Sequence, residues 1–108
     1  MGHLVYDGRS YEFEDRLLVH LQIVIQQKLA KQEHFFFTWH PSGRPDNEMT
    51  IWVSPHVHLG FRYSGSRHPK TSKAWLVALN AISYSPRGLI AVGEEEAARY
   101  LRENPGVR

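Results

Sequence analysis

The stretch Met49-Thr50-Ile51-Trp52-Val53-Ser54-Pro55-His56-Val57-His58-Leu59-Gly60-Phe61-Arg62-Tyr63 carries the reading of the fold. Met49 to Val53 is rich in β-branched and large apolar side chains and stops at Ser54-Pro55, where proline lacks the N–H that a ladder needs. Beyond that break Val57, Leu59, Phe61 and Tyr63 alternate strictly with His58, Gly60 and Arg62. A period of two puts the apolar set on one face of a strand and His58 with Arg62 on the other. The stretch therefore predicts two successive strands of a sheet with one buried and one outer face.

Working toward the N-terminus, the aromatic run His34 to Trp39 reads as an interior strand, joined to Met49–Val53 by a loop over residues 41–47. Before it Leu17, Leu18, Leu21, Val24, Ile25 and Leu29 recur at three- and four-residue steps, which predicts a helix capped by Asp15. Arg16, Gln22, Gln26, Gln27 and Lys31 fall on its opposite face. Residues 3–6 and 9–13 form an opening hairpin, because Asp7-Gly8 tolerates the positive φ of a two-residue turn.

Toward the C-terminus, residues 64–70 are a loop before a second helix. Thr71 or Ser72 caps it, and Trp75, Leu76, Leu79 and Ile82 form its core face. Leu89 to Val92 is a short strand, and Glu94 to Glu103 a helix whose acids suit the N-terminal end of its dipole. The order ββαβββαβ(α) defines an α+β single domain, a mainly antiparallel sheet with helices on one face and local connections. Residues 1–93 make up the domain, and residues 94–108 a loosely docked C-terminal helix and tail.

A chain of 108 residues supports one core. It has no cysteine, which excludes disulfides, thiolate catalysis, iron–sulfur clusters and cysteine zinc sites. No apolar run approaches a membrane span and no basic region precedes an apolar one, so a cytoplasmic protein without membrane contact is expected. The formal net charge is +2, but its distribution is uneven. From Met49 to Gly93 there is no Asp or Glu, while Arg62, Arg67, Lys70, Lys73 and Arg87 all fall in that block. Such a one-signed surface favours an anionic partner, with a phosphate backbone as the obvious case.

Three constellations could carry chemistry. The loop from Gly65 to Lys73 leads into a helix whose start offers unpaired N–H groups, and Arg67, Lys70 and Lys73 would surround an anion there. The Walker spacing of a P-loop is absent. On the sheet's outer face Arg62 and His58 stand with Trp52, where an aromatic ring can stack on bases while cations follow the backbone. His56 and His58, with His40 or His68, make a zinc site conceivable, but no acid in the block could orient the ligands, so surface histidines are expected. No Gly-x-Ser-x-Gly elbow occurs, and no acid lies close enough in sequence to orient a histidine.

The runs Trp52 to Pro55, Leu59 to Arg67, Trp75-Leu76 and Ser85 to Leu89, with His20 to Ile25 and Phe35 to Trp39, resemble a family of small uncharacterised actinobacterial proteins of this length. The resemblance spans residues 1–93. Some of those relatives bear the name ATP-dependent DNA ligase, yet the resemblance implies no mechanism and no site residues. Covalent nucleotidyl transfer needs an attacking lysine in a Lys-x-Asp-Gly context and metal-binding acids. Here Val5 stands at the lysine position of Val5-Tyr6-Asp7-Gly8, and the acid-free block lacks the carboxylates.

The residues thus point to a non-enzymatic domain, without cofactor or metal, that binds nucleic acid through Arg62, Arg67, Lys70, Lys73, Arg87 and Trp52. Three to five phosphate contacts would give a log–log salt slope of about −3 to −4.5 on duplex DNA. The alternative is a protein-interaction module or homodimer in which aromatic strand edges pair between copies.

Overall fold

A computed structural model describes residues 1–65 and 68–107, so the expected cation Arg67 lies outside the described residues. Asp7 and Gly8 hold left-handed backbone, with φ of 51° and 79°, and fold β1 (Gly2–Tyr6) back onto β2 (Arg9–Phe13). Helix α1 (Asp15–Ala30) is capped by Glu14, one residue earlier than expected. The Glu14 carboxylate accepts the Leu17 N–H at 2.9 Å, and Asp15 joins the first turn, where its charge complements the helix dipole. Strands β3 (Phe35–Trp39) and β4 (Met49–Val53) then pair antiparallel.

After β4 the chain departs from local connections. Strand β5 (Leu59–Tyr63) pairs with β1, so the strands divide between two three-stranded sheets, β2-β1-β5 and β4-β3-β6, in place of one. The cause lies at the Ser54-Pro55 break. Val57 N–H turns back to the Ser54 carbonyl at 3.3 Å, and the Tyr6 hydroxyl sits on the outer edge of β4, donating to the Trp52 carbonyl and accepting the Ser54 N–H. Asp7 N–H takes the His58 carbonyl at 3.2 Å and starts the β1–β5 ladder. Strand β6 (Leu89–Ile90) runs parallel to β3. The α+β class and the order of elements stand as expected.

The two sheets meet through their inner faces. Tyr11 and Phe13 of the first contact Trp39 and Phe37 of the second at ring separations of 5.0–6.0 Å. Helix α1 adds Leu18, Leu21, Val24 and Ile25 to this core, and α2 (Lys73–Ile82) adds Trp75, Ala78 and Leu79. Each large aliphatic so buried contributes about 1.5–3 kcal/mol. Helix α3 (Glu94–Glu103) packs on α2 and buries Ala97, and the Arg16 guanidinium binds the Glu94 carboxylate across the gap. On the face of the second sheet turned away from this core, Phe36 and Trp52 remain exposed.

His20 ties α1 to α2. Its Nδ1 meets the Arg16 carbonyl at 2.7 Å, its Nε2 accepts the Ser72 N–H at 2.8 Å, and its ring stacks on Trp75. An Nε2 that accepts carries no proton, so this histidine is the neutral Nδ1–H tautomer.

Candidate functional site

The period of two through β3 sends Phe35, Phe37 and Trp39 inward and Phe36 outward. On β4 the same rule turns Trp52 and Thr50 outward, and the antiparallel register sets Phe36 opposite Trp52 and Thr38 opposite Thr50. The two threonine hydroxyls share a hydrogen bond of 2.8 Å. Phe36 and Trp52 meet edge to face at 4.8 Å, yet each stays about half open to solvent, at 50% and 47% exposure. His34 tilts against Trp52 at 5.2 Å.

Gly88 draws the turn between α2 and β6 against this face. At a φ of 77° its hydrogen faces the Phe36 carbonyl oxygen, where a Cβ would come within 2.5 Å. That approach carries Tyr84 and Arg87 to the same side of the molecule. Tyr84 is exposed, and its hydroxyl donates to the Glu33 carboxylate at 3.0 Å, two residues ahead of β3. Arg87 reaches Glu48 at 3.1 Å, and His40 approaches the same carboxylate at 3.9 Å. Beneath Tyr84 the buried Lys28 ammonium bonds Glu33 and Ser83, each at 3.0 Å, and lies 3.8 Å from the Tyr84 ring centre. The Lys28 hydrogen bond holds the Glu33 carboxyl below the usual carboxylate range, and Glu33 in turn pushes the Tyr84 hydroxyl up.

Among the described residues, the expected site residues lie on three parts of the molecule. Trp52 and Arg87 border the outer face of the β4-β3-β6 sheet. Arg62 lies on the outer face of the other sheet, opposite His3, which in turn faces Glu12. Lys70 and Lys73 lie at the start of α2, where the Lys70 carbonyl accepts from Arg16. Two backbone donors there are in use: His20 takes the Ser72 N–H, and the Ser72 hydroxyl takes the Trp75 N–H at 3.2 Å. Among the described residues Arg62, Lys70 and Lys73 enter no ion pair, whereas Arg87 does. His56 and His58 are exposed, and no group of three potential metal-ligating side chains occurs among the described residues.

Phe36 and Tyr84 are the surface aromatics that sequence reasoning passed over. For Phe36 the signal was present: a two-residue period anchored on Phe35 and Phe37 leaves the residue between them facing out. Tyr84 lies in a turn, where no period operates.

No helix is long and apolar enough to cross a membrane among the described residues. Comparison with curated proteins and with solved structures finds no match. A family model described as a domain of unknown function, DUF7882, matches residues 1–94, from β1 through β6 to the first residue of α3. With its two sheets and both core helices inside that match, the chain belongs to the DUF7882 family.

Proposed function

We propose that this is a non-enzymatic binding domain that takes single-stranded nucleic acid on the outer face of the β4-β3-β6 sheet. The observation that carries the reading is the half-exposed pair Phe36 and Trp52, directly opposite one another on neighbouring strands. Every base has a π-face, so two such rings can stack successive unpaired bases whatever the sequence. Bases inside a duplex are covered by their neighbours, which makes the single strand the fitting form. Arg87 precedes Gly88, which lies against the Phe36 backbone. Its exposed pair with Glu48 is worth about 0–1 kcal/mol, so a phosphate can replace that carboxylate at small cost. Of the five cations expected from the sequence, Arg87 is the one this reading uses. Val5, at the position a nucleotidyl-transferring lysine would take, lies in β1, and Asp7-Gly8 is the hairpin turn.

The same bare aromatic face favours a second reading, a protein contact or homodimer through Phe36 and Trp52. Copies would meet face to face, since Tyr6 occupies the β4 edge.

The test is anisotropy titration of labelled single- and double-stranded DNA and RNA, with tryptophan emission followed in parallel. Trp39 and Trp75 are buried, so quenching on binding reports Trp52. Single strands should bind and quench, and Trp52→Ala or Phe36→Ala should each weaken binding between roughly fivefold and a hundredfold. Absence of binding at about 50 mM salt, with a mass that grows with concentration, would replace this reading by the homodimer.

A further inference from the structure

A second surface lies at the open edge of the first sheet. Strand β2 is its outermost strand, and a groove of about 760 Å³ opens along that edge. Tyr11, Phe13, Leu17 and Trp39 supply its apolar lining, and the turn at Pro41–Gly43 forms the opposite wall. The size falls within the about 300–1,000 Å³ of ordinary ligand sites.

The backbone of β2 says what kind of ligand fits. In a two-residue hairpin the residues flanking the turn, here Tyr6 and Arg9, exchange hydrogen bonds, and bonded pairs alternate from there. Tyr11 and Phe13 therefore point their peptide groups toward β1, and Ser10 and Glu12 point theirs outward. The Asp7 to His58 bond on the other side of β1 obeys the same alternation. Among the described residues nothing in the chain pairs with the Ser10 and Glu12 peptide groups. Two N–H donors and two carbonyl acceptors thus face the groove, spaced as a further strand requires.

Charge specifies the side chains. Glu12 and Glu14 line the groove, Glu12 with His3 at 3.9 Å beside it, while the Met1 amine and His40 at its border are turned to Asp15 at 3.7 Å and Glu48 at 3.9 Å. Glu14 uses one carboxylate oxygen to cap α1, which leaves the other. An added strand would alternate in step with β2, so residues beside Tyr11 and Phe13 face apolar surface and residues beside Glu12 face an acid.

We propose that this groove binds an extended peptide of alternating apolar and basic residues, which adds to the open edge of β2 as a fourth strand. A second copy of the chain fits less well, because it would bring two further acids, its own Glu12 and Glu14, to an edge that already carries both. The proposal concerns a surface separate from Phe36 and Trp52 and stands or falls apart from the nucleic-acid reading.

The experiment uses the full chain and a labelled, end-blocked peptide alternating valine and lysine, the length of β2. Anisotropy and amide chemical shifts are followed together. The expected result is binding with the largest shifts at the Ser10 and Glu12 amides. Binding should be lost when alternate peptide nitrogens are methylated, and weakened at least tenfold when the lysines become glutamates. Ser10→Pro deletes an outward N–H without touching the β1 ladder, and Glu12→Lys reverses an exposed charge. Each should weaken binding about tenfold or more, with unchanged thermal unfolding of at least the Glu12→Lys protein as the folding control. No shift at Ser10 and Glu12 at about 1 mM peptide, or equal binding of the methylated peptide, overturns the proposal. A dimer that Ser10→Pro dissolves also overturns it, by assigning the edge to a second copy.

Discussion

Lys28 shows how a periodic reading can identify a face and miss what occupies it. The steps Leu21, Val24 and Ile25 lead through position 28, so a lysine there must enter the core, and it is 2% exposed. It is tolerated because Glu33, Ser83 and the Tyr84 ring receive the ammonium. None of these partners is near it on the helix, so the box was not visible in the pattern of α1. Lys28→Met keeps the stem and removes the charge, and should cost roughly 1.5–3 kcal/mol in urea unfolding. It should also change the acid limb. Glu33 has a lowered folded pKa, so its contribution is present above its ordinary value of 4.5 and is lost as pH falls through the folded value. In Lys28→Met most of that acid-dependent loss should vanish, and an unaltered limb would remove Lys28 from this role. Tyr63 governs the opposite end. Burial first, and Asp15 second, push its hydroxyl up to about 12, while it donates to Gln22 at 2.7 Å. Its contribution is complete below pH 10 and is lost as pH rises toward 12. Tyr63→Phe should flatten that alkaline loss in urea midpoints measured across the same range.

The strands and helices were legible one by one, and their partners were legible only where a turn joined them. Asp7-Gly8 specified the β1–β2 hairpin, and the loop after Trp39 returned β4 to β3. The β1–β5 pairing was hidden because its determinants are a tyrosine hydroxyl and a peptide N–H from the first hairpin, acting on the break at Ser54 and on His58. A local pattern contains no term for such contacts. The attachment of β6 to β3 was hidden in the same way, in one glycine. Gly88 combines positive φ with an approach to the Phe36 carbonyl that no side chain permits. Gly88→Ala should therefore destabilise by about 2–4 kcal/mol, from left-handed strain plus overpacking. Gly8→Ala is the matched control, since Gly8 has a φ of 79° with open space around it, and should cost about 1–2 kcal/mol. Urea unfolding of the two variants isolates the contact term. Equal losses would mean that the Phe36 backbone moves aside freely and that β6 is not held by this approach.

In the whole molecule, the described cations of the acid-free block stand on separate elements. Its described residues are spread over β4, β5, α2 and β6, and those elements belong to both sheets and to the helices. Arg62 faces away from α1, Lys70 and Lys73 stand at the start of α2, and Arg87 is tied to Glu48, an acid just outside the block. Charge counted along a sequence does not say how the cations are spaced in three dimensions, whereas the outward position of Trp52 follows from strand alternation. The consequence is measurable as a salt slope. A track of three to five phosphate contacts would give about −3 to −4.5 on duplex DNA, but one or two contacts on a single strand give about −0.7 to −1.4. Titrations between about 50 and 200 mM salt should yield the shallow slope, because stacking on Phe36 and Trp52 releases no counterions. Arg87→Ala should reduce that slope by about 0.7, while joint replacement of Arg62, Lys70 and Lys73 by alanine should leave it unchanged. A steep slope that collapses in the triple variant would mean that a nucleic acid bridges the two sheets' outer faces and the start of α2 together. The binding surface would then be the dispersed cations, and the aromatic pair would be left to a protein partner.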